Sequence, residues 1–152
     1  MGVLKKLTTE YFGDTERLED RVVMDGVIRV DFTDKNGKRH RNGYRIVDGD
    51  HDTLKKFIQK LVYKRGPECE LNDVDVSNVT DMNSMFYGSL FNGGISGWDV
   101  SNVVNMRGMF CGSYFNGDIS GWEVNPKCDI EKMFNNSPLE SNPPEWYKNR
   151  MK

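Results

Sequence analysis

The feature that most constrains this chain is an internal repeat. Asp75–Trp98 and Asp99–Trp122 read DVSNVTDMNSMFYGSLFNGGISGW and DVSNVVNMRGMFCGSYFNGDISGW, identical at seventeen of 24 positions without a gap. The period continues in both directions. Val74, Trp98, Trp122 and Trp146 form one column, and Leu71, Ile95 and Ile119 form another. Val76, Val100 and Val124 follow, as do Met82, Met106 and Ile130, then Met85, Met109 and Met133. Phe86, Phe110 and Phe134, with Phe91, Phe115 and Leu139, complete the set. One such unit cannot bury its apolar face alone, so stability has to come from stacking on its neighbours.

A period of 24 residues is too short for a propeller blade or a helix-pair repeat. It predicts an α+β chain containing a short leucine-rich-repeat-like solenoid of 24-residue coils, with parallel short strands plus short helices. The strands are expected near Leu71, Ile95, Ile119 and Asn142. The helices are expected around Met82–Phe86 and Met106–Phe110, because Val103, Met106, Met109 and Phe110 share one helical face. The methionine columns read as packing that fills irregular gaps rather than as metal ligands.

The motif DVSNVTDMNSMF, followed by SLFNGGISGWDVSNV, closely resembles the repeats of BspA-like leucine-rich-repeat surface proteins of bacteria, over about Leu71 to Trp146. The resemblance implies a right-handed leucine-rich-repeat-like coil and a role in binding rather than chemistry.

The ends of a stack need covering, since they expose apolar columns and unpaired backbone. Leu54, Phe57, Ile58 and Leu61 form a core-facing helical stripe, so residues 51–66 are expected to be an N-terminal cap helix stopped by Gly66-Pro67. Residues 67–146 hold about three coils, and 147–152 form a tail, with Trp146 and Tyr147 covering the last coil. Residues 1–50 do not repeat. They are expected to form a small β-hairpin region, Val22–Thr33 with Lys38–Val47 around the Asn36-Gly37 turn, and Leu4–Tyr11 forms a helix or a strand.

Composition narrows the function classes. Hydrophobic residues make up 37% and charged residues 29%, yet seventeen aromatics argue against disorder. No apolar run approaches a membrane span. The first ten residues are too short and polar for a signal-peptide core, and Lys6 stands where myristoylation needs Ser or Thr. Cys69, Cys111 and Cys128 include no CxxC pair. The expectation is a cytoplasmic bacterial protein in a reducing compartment, with no cofactor, no metal and no membrane partner. Catalytic residues are none: His40 and His51 lie in polar surroundings, with no zinc, phosphate-loop or nucleophile pattern around them. The recurring acids Asp75, Asp99 and Glu123 read as solvated turn residues rather than a calcium site.

Two candidate surfaces remain. The two intact copies differ at Thr80/Val104, Asp81/Asn105, Asn83/Arg107, Ser84/Gly108, Tyr87/Cys111, Leu90/Tyr114 and Gly94/Asp118. Core columns match while these do not, so this variable face is expected to point outward and to bind a protein partner. Asn83, Tyr87, Leu90, Arg107, Tyr114 and Asp118 are the candidate contacts, because aromatic and Arg side chains are enriched at interface hot spots. The alternative is an inhibitor or regulator of a nucleic-acid-handling complex of mobile-element type. It would use the basic hairpin of Lys35, Lys38, Arg39, Arg41 and Arg45 on nucleic acid or an acidic partner. Charge is asymmetric in that direction: residues 1–66 carry 15 Lys+Arg against 11 Asp+Glu, and residues 67–152 carry 6 against 12.

Overall fold

The computed structural model describes residues 22–152; the helix or strand expected at Leu4–Tyr11 lies outside the described residues. Three antiparallel strands come first: β1 Val22–Met24, β2 Val27–Thr33 and β3 Arg39–Ile46. The single strand expected over Val22–Thr33 is two, because Asp25-Gly26 makes a tight turn with Gly26 at φ 85°. Asn36-Gly37 turns β2 into β3. Between Val30↔Gly43 and Phe32↔His40 the register shifts, and Asn42, at φ 56°, is the extra residue. The Asp31 carboxylate accepts from the Asn42 amide at 2.7 Å, and Arg29 donates to the Asn42 carbonyl at 2.7 Å, which holds this bulge.

Helix α1 spans His51–Arg65. Asp50 caps it by accepting from the Asp52 amide, and Gly66 at φ 97° ends it, its N–H donating to the Val62 carbonyl. Leu54, Phe57, Ile58 and Leu61 are buried. The chain then returns as β4, Val74–Asp75, which pairs parallel to β3 through Tyr44↔Val74 and Arg45↔Asp75. The mixed sheet has the order β1-β2-β3-β4.

The expected leucine-rich-repeat-like solenoid, with its parallel strands and short helices, does not form. Among the described residues the regular structure is this one four-stranded mixed sheet, helix α1, a 3₁₀ turn at Pro138–Glu140 and helix α2 at Glu145–Arg150. The repeats themselves are chains of turns joined by isolated parallel bridges, Glu70↔Gly94, Asp81↔Asn105 and Asn105↔Asp129. The cause is local. Ser84, Gly108 and Lys132 have positive φ, and so do Gly88, Gly112 and Asn136, one column further on. Two left-handed residues four positions apart in each repeat break a helix and a strand alike, so the expected helices at Met82–Phe86 and Met106–Phe110 are successive turns. Nor is α1 an N-terminal cap. It follows β3 and is the crossover that brings β4 beside β3, which a parallel pair requires.

What aligns the repeats is hydrogen bonding at the repeat spacing. Amides of Met82, Ser84, Phe86 and Gly88 donate to the carbonyls of Asn105, Arg107, Met109 and Cys111. Amides of Met106, Gly108, Phe110 and Gly112 donate in turn to Asp129, Glu131, Met133 and Asn135. The tryptophans do the same from inside: Trp98 Nε1 donates to the Leu71 carbonyl at 2.8 Å, Trp122 to Ile95 at 3.1 Å and Trp146 to Ile119 at 2.9 Å. Phe86, Phe110 and Phe134 stack at 5.5 and 5.8 Å between ring centroids. Phe134 meets Tyr147 edge-on at 4.9 Å, so α2 covers the last repeat.

Trp122 is the middle rung, 3% exposed. Trp122→Ala removes a packed ring and its indole bond to the Ile95 carbonyl, which keeps the Trp98 amide as its other donor, at a cost of about 3–5 kcal/mol, most of it from the lost packing. The substituted protein should be largely unfolded by circular dichroism at room temperature; a melting point within a degree or two of the parent would contradict this packing.

Candidate functional site

The repeat arithmetic decides which side chains face out. None of the residues at the seven differing positions is buried. Leu90 is 63% exposed, Tyr114 64% and Tyr87 65%, large apolar side chains left in solvent. The tie between Tyr114 N and the Ser89 carbonyl, 3.1 Å, holds Tyr114 beside Leu90.

The face divides into two grooves. Asn83, Tyr87 and Arg107 line one, with Cys111, Glu131 and Lys132. Arg107 pairs with Asp129 at 3.4 Å and with Glu131, and these acceptors raise its pKa, Glu131 foremost. Its guanidinium is therefore already held in place across the second and third repeats. Leu90 and Tyr114 line the other groove, about 820 Å³, together with Arg65, Gly66, Pro67, Glu68, Cys69, Asn92 and Pro138. Asp118 lines neither. It accepts from the amide and hydroxyl of Ser120, and those two bonds lower its pKa.

Sequence reasoning missed half of the second groove, although the signal was present. Adding the period to Leu90 and Tyr114 gives Pro138, and subtracting it gives Gly66, so one column of the repeat runs the length of the groove. Two residues on lies a parallel polar column, Glu68, Asn92, Asn116 and Glu140. The Asn92 amide donates to the Pro67 carbonyl at 2.7 Å, and the Asn116 amide donates to the Asn92 side chain at 2.8 Å.

The basic hairpin is largely engaged inside the molecule. The Lys35 ammonium donates to the Gly121 carbonyl and lies 3.9 Å from Glu123. Arg45 binds Asp75 at 2.6 Å, and Arg39 lies 3.9 Å from Asp31. Lys38 and Arg41 are exposed, with no ion pair among the described residues. The hairpin tip is a strut laid across the repeats: the Lys35 amide donates to the Gly97 carbonyl at 3.0 Å, and Asn36 reaches Ser96. A side chain at Gly97 would put its Cβ 2.7 Å from an Asp34 carboxylate oxygen, so that carboxylate would have to shift from its bonds within the tip.

Asp34, His40, His51, Asp75 and Asp99 are engaged in hydrogen bonds within the fold. Asp34 accepts from the amides of Asn36 and Lys38 and, at 2.8 Å, from His40, whose ring stacks on Phe32. Burial pushes this carboxyl up, but the His40 bond and the two amides outweigh it and hold the pKa below its ordinary value. His51 donates through Nε2 to the Asn83 carbonyl at 2.6 Å. Asp75 and Asp99 accept from the amides of Ser77 and Ser101, closing turns. Burial pushes the Cys128 thiol up to about 11. Among the described residues, no group of three or more His, Cys, Asp or Glu is placed to hold a metal ion, and no helix is long and apolar enough to cross a membrane.

The model of a family described as "Mycoplasma protein of unknown function, DUF285" matches residues 55–151. The chain belongs to this family. The match begins within α1 and takes in β4, every repeat and α2, so the groove residues lie inside the family's segment. No curated protein and no solved structure matches the chain.

Asp34 offers a pH test of the strut. Its folded pKa is depressed, so its contribution is fully present above the ordinary carboxylate value of 3.8 and is lost as pH falls through the lower folded value. Asp34→Asn should cost about 2 kcal/mol in urea unfolding at neutral pH, and the gap from the parent should close in that acid window. A gap that is the same at both pH values would rule out the carboxylate as the anchor.

Proposed function

We propose that this protein is a non-catalytic protein-interaction module, and that it binds its partner through the variable face of its stacked repeats. The observation that carries this is the exposed Leu90–Tyr114 row: two large apolar side chains held side by side on a backbone fixed by bonds between repeats. A rigid surface loses little entropy when it binds, and aromatic side chains of this kind supply much of the energy at interfaces. The likeness of the repeats to those of BspA-like proteins supports a binding role. So does the engagement of His40, His51 and Cys128 in packing and hydrogen bonds. Three free cysteines, Cys69, Cys111 and Cys128, support a reducing, cytoplasmic setting. The regulator of a nucleic-acid complex is the weaker reading, since Lys35, Arg39 and Arg45 have partners within the fold.

Affinity capture with the whole chain, with and without nuclease, tests this. Proteins retained after nuclease treatment and released by Leu90→Ala or Tyr114→Ala support the interaction face, and each change should weaken the complex by more than about 1 kcal/mol. Both variants should melt as the parent does, because neither side chain is in the core. Retention that depends on nucleic acid and is lost on Lys38→Glu with Arg41→Glu would instead favour the hairpin.

A further inference from the structure

The groove beside Leu90 and Tyr114 has a charge pattern that specifies its occupant. Its apolar row, Gly66, Leu90, Tyr114 and Pro138, runs across four successive turns of the stack. The neighbouring row begins and ends in an acid, with Glu68 at one end, Glu140 at the other, and Asn92 and Asn116 between. Both acids are exposed, and among the described residues neither carboxylate meets a cation. Glu140 accepts from the Asn136 amide through one of its two carboxylate oxygens. Among the described residues, the one cation lining the groove is Arg65, and it is engaged by Asp73, with two guanidinium nitrogens on the two carboxylate oxygens at 3.0 and 2.9 Å. Lys64, its neighbour on α1, is exposed.

Resting on the interaction reading above, we infer that this groove takes an extended partner segment whose apolar side chains lie between two cationic ones. The apolar side chains cover Leu90 and Tyr114, and the cations meet Glu68 and Glu140. Three intervals between stacked backbone segments, each about 4.8 Å, separate the two acids by roughly 14 Å. An extended chain covers that distance in about four residues at roughly 3.3 Å each, so the matching pattern is a lysine or arginine, three residues, and a second lysine or arginine. Attraction at an exposed rim contributes more to partner choice and association rate than to affinity, which fits a surface whose apolar row supplies the contact area.

The experiment uses the whole chain and three capped peptides carrying Leu-Val-Leu flanked by lysines, by glutamates or by serines, titrated by calorimetry and by amide shifts. The lysine-flanked peptide should bind best, move the amides around Leu90 and Tyr114, and weaken as salt rises. Glu68→Gln with Glu140→Gln, which keeps the acceptor for Asn136, should weaken it roughly tenfold, to the level of the serine-flanked peptide. Equal binding of the lysine and glutamate peptides, no binding of any, or indifference to the double substitution would overturn this assignment. The interaction face would survive that result if Leu90→Ala and Tyr114→Ala still disrupt the captured complex. Binding of the lysine peptide that ignores Leu90→Ala and Tyr114→Ala would remove the assignment and the face together.

Discussion

The bond from each tryptophan indole to a backbone carbonyl one turn back holds the rest in place. Trp98, Trp122 and Trp146 reach Leu71, Ile95 and Ile119 in the same geometry, each spanning 27 residues. A buried indole N–H must find a partner, and an isolated repeat offers none. Each repeat therefore becomes satisfied only when the preceding one is in register. That condition fixes the phenylalanine stack at its spacing and aligns the outer amide-to-carbonyl rows. It also puts Leu90 beside Tyr114 on the outside, so the candidate face follows from the internal register.

The two ends of the stack are finished differently. At the front, β3 lies parallel to β4, while His51 and Lys55 of α1 donate to the carbonyls of Asn83 and Ser84 in the first repeat. At the back, Trp146 and Tyr147 of α2 close over Phe134, and Arg150 donates to the Cys128 carbonyl. Along the side, the hairpin tip crosses the repeats through Asp34, Lys35 and Asn36. The basic front half and the acidic repeat half are thus joined by their own ion pairs, Arg45 to Asp75 and Lys35 to Glu123. This accounts for a charge asymmetry that, in the sequence, pointed toward a separate nucleic-acid surface.

What the sequence revealed was register; what it concealed was local backbone. The columns through Leu71, Trp98 and Phe110 are buried, except at Trp146 on the closing helix, because identical spacing stacks identical residues whatever conformation joins them. The stripe of Leu54, Phe57, Ile58 and Leu61 was legible as a helix for the usual reason of period. The spacing of Val103, Met106, Met109 and Phe110 mimicked a helix but arises from consecutive turns, and Ser84 and Lys132, non-glycine residues at positive φ, gave no warning. Asp25-Gly26 was a readable turn signal that splits one expected strand into two. In the candidate face, Leu90 and Tyr114 were found by comparing copies, whereas Pro138 lay in a third copy too altered to align by identity. Pairing across long separations, such as Lys35 with Gly121, leaves no local pattern to read.

Hydrogen exchange at the three indole protons, followed by NMR, measures the ladder directly. With Trp98 and Trp122 at 1% and 3% exposure and both bonded to backbone carbonyls, their indole protons should exchange slowly, near the rate set by global unfolding. Trp146, half-buried on the short closing helix, should exchange faster than either. Rapid exchange at all three would mean that the repeats are not held in register by this bond, and the account of the fold and of its outer face would fail with it.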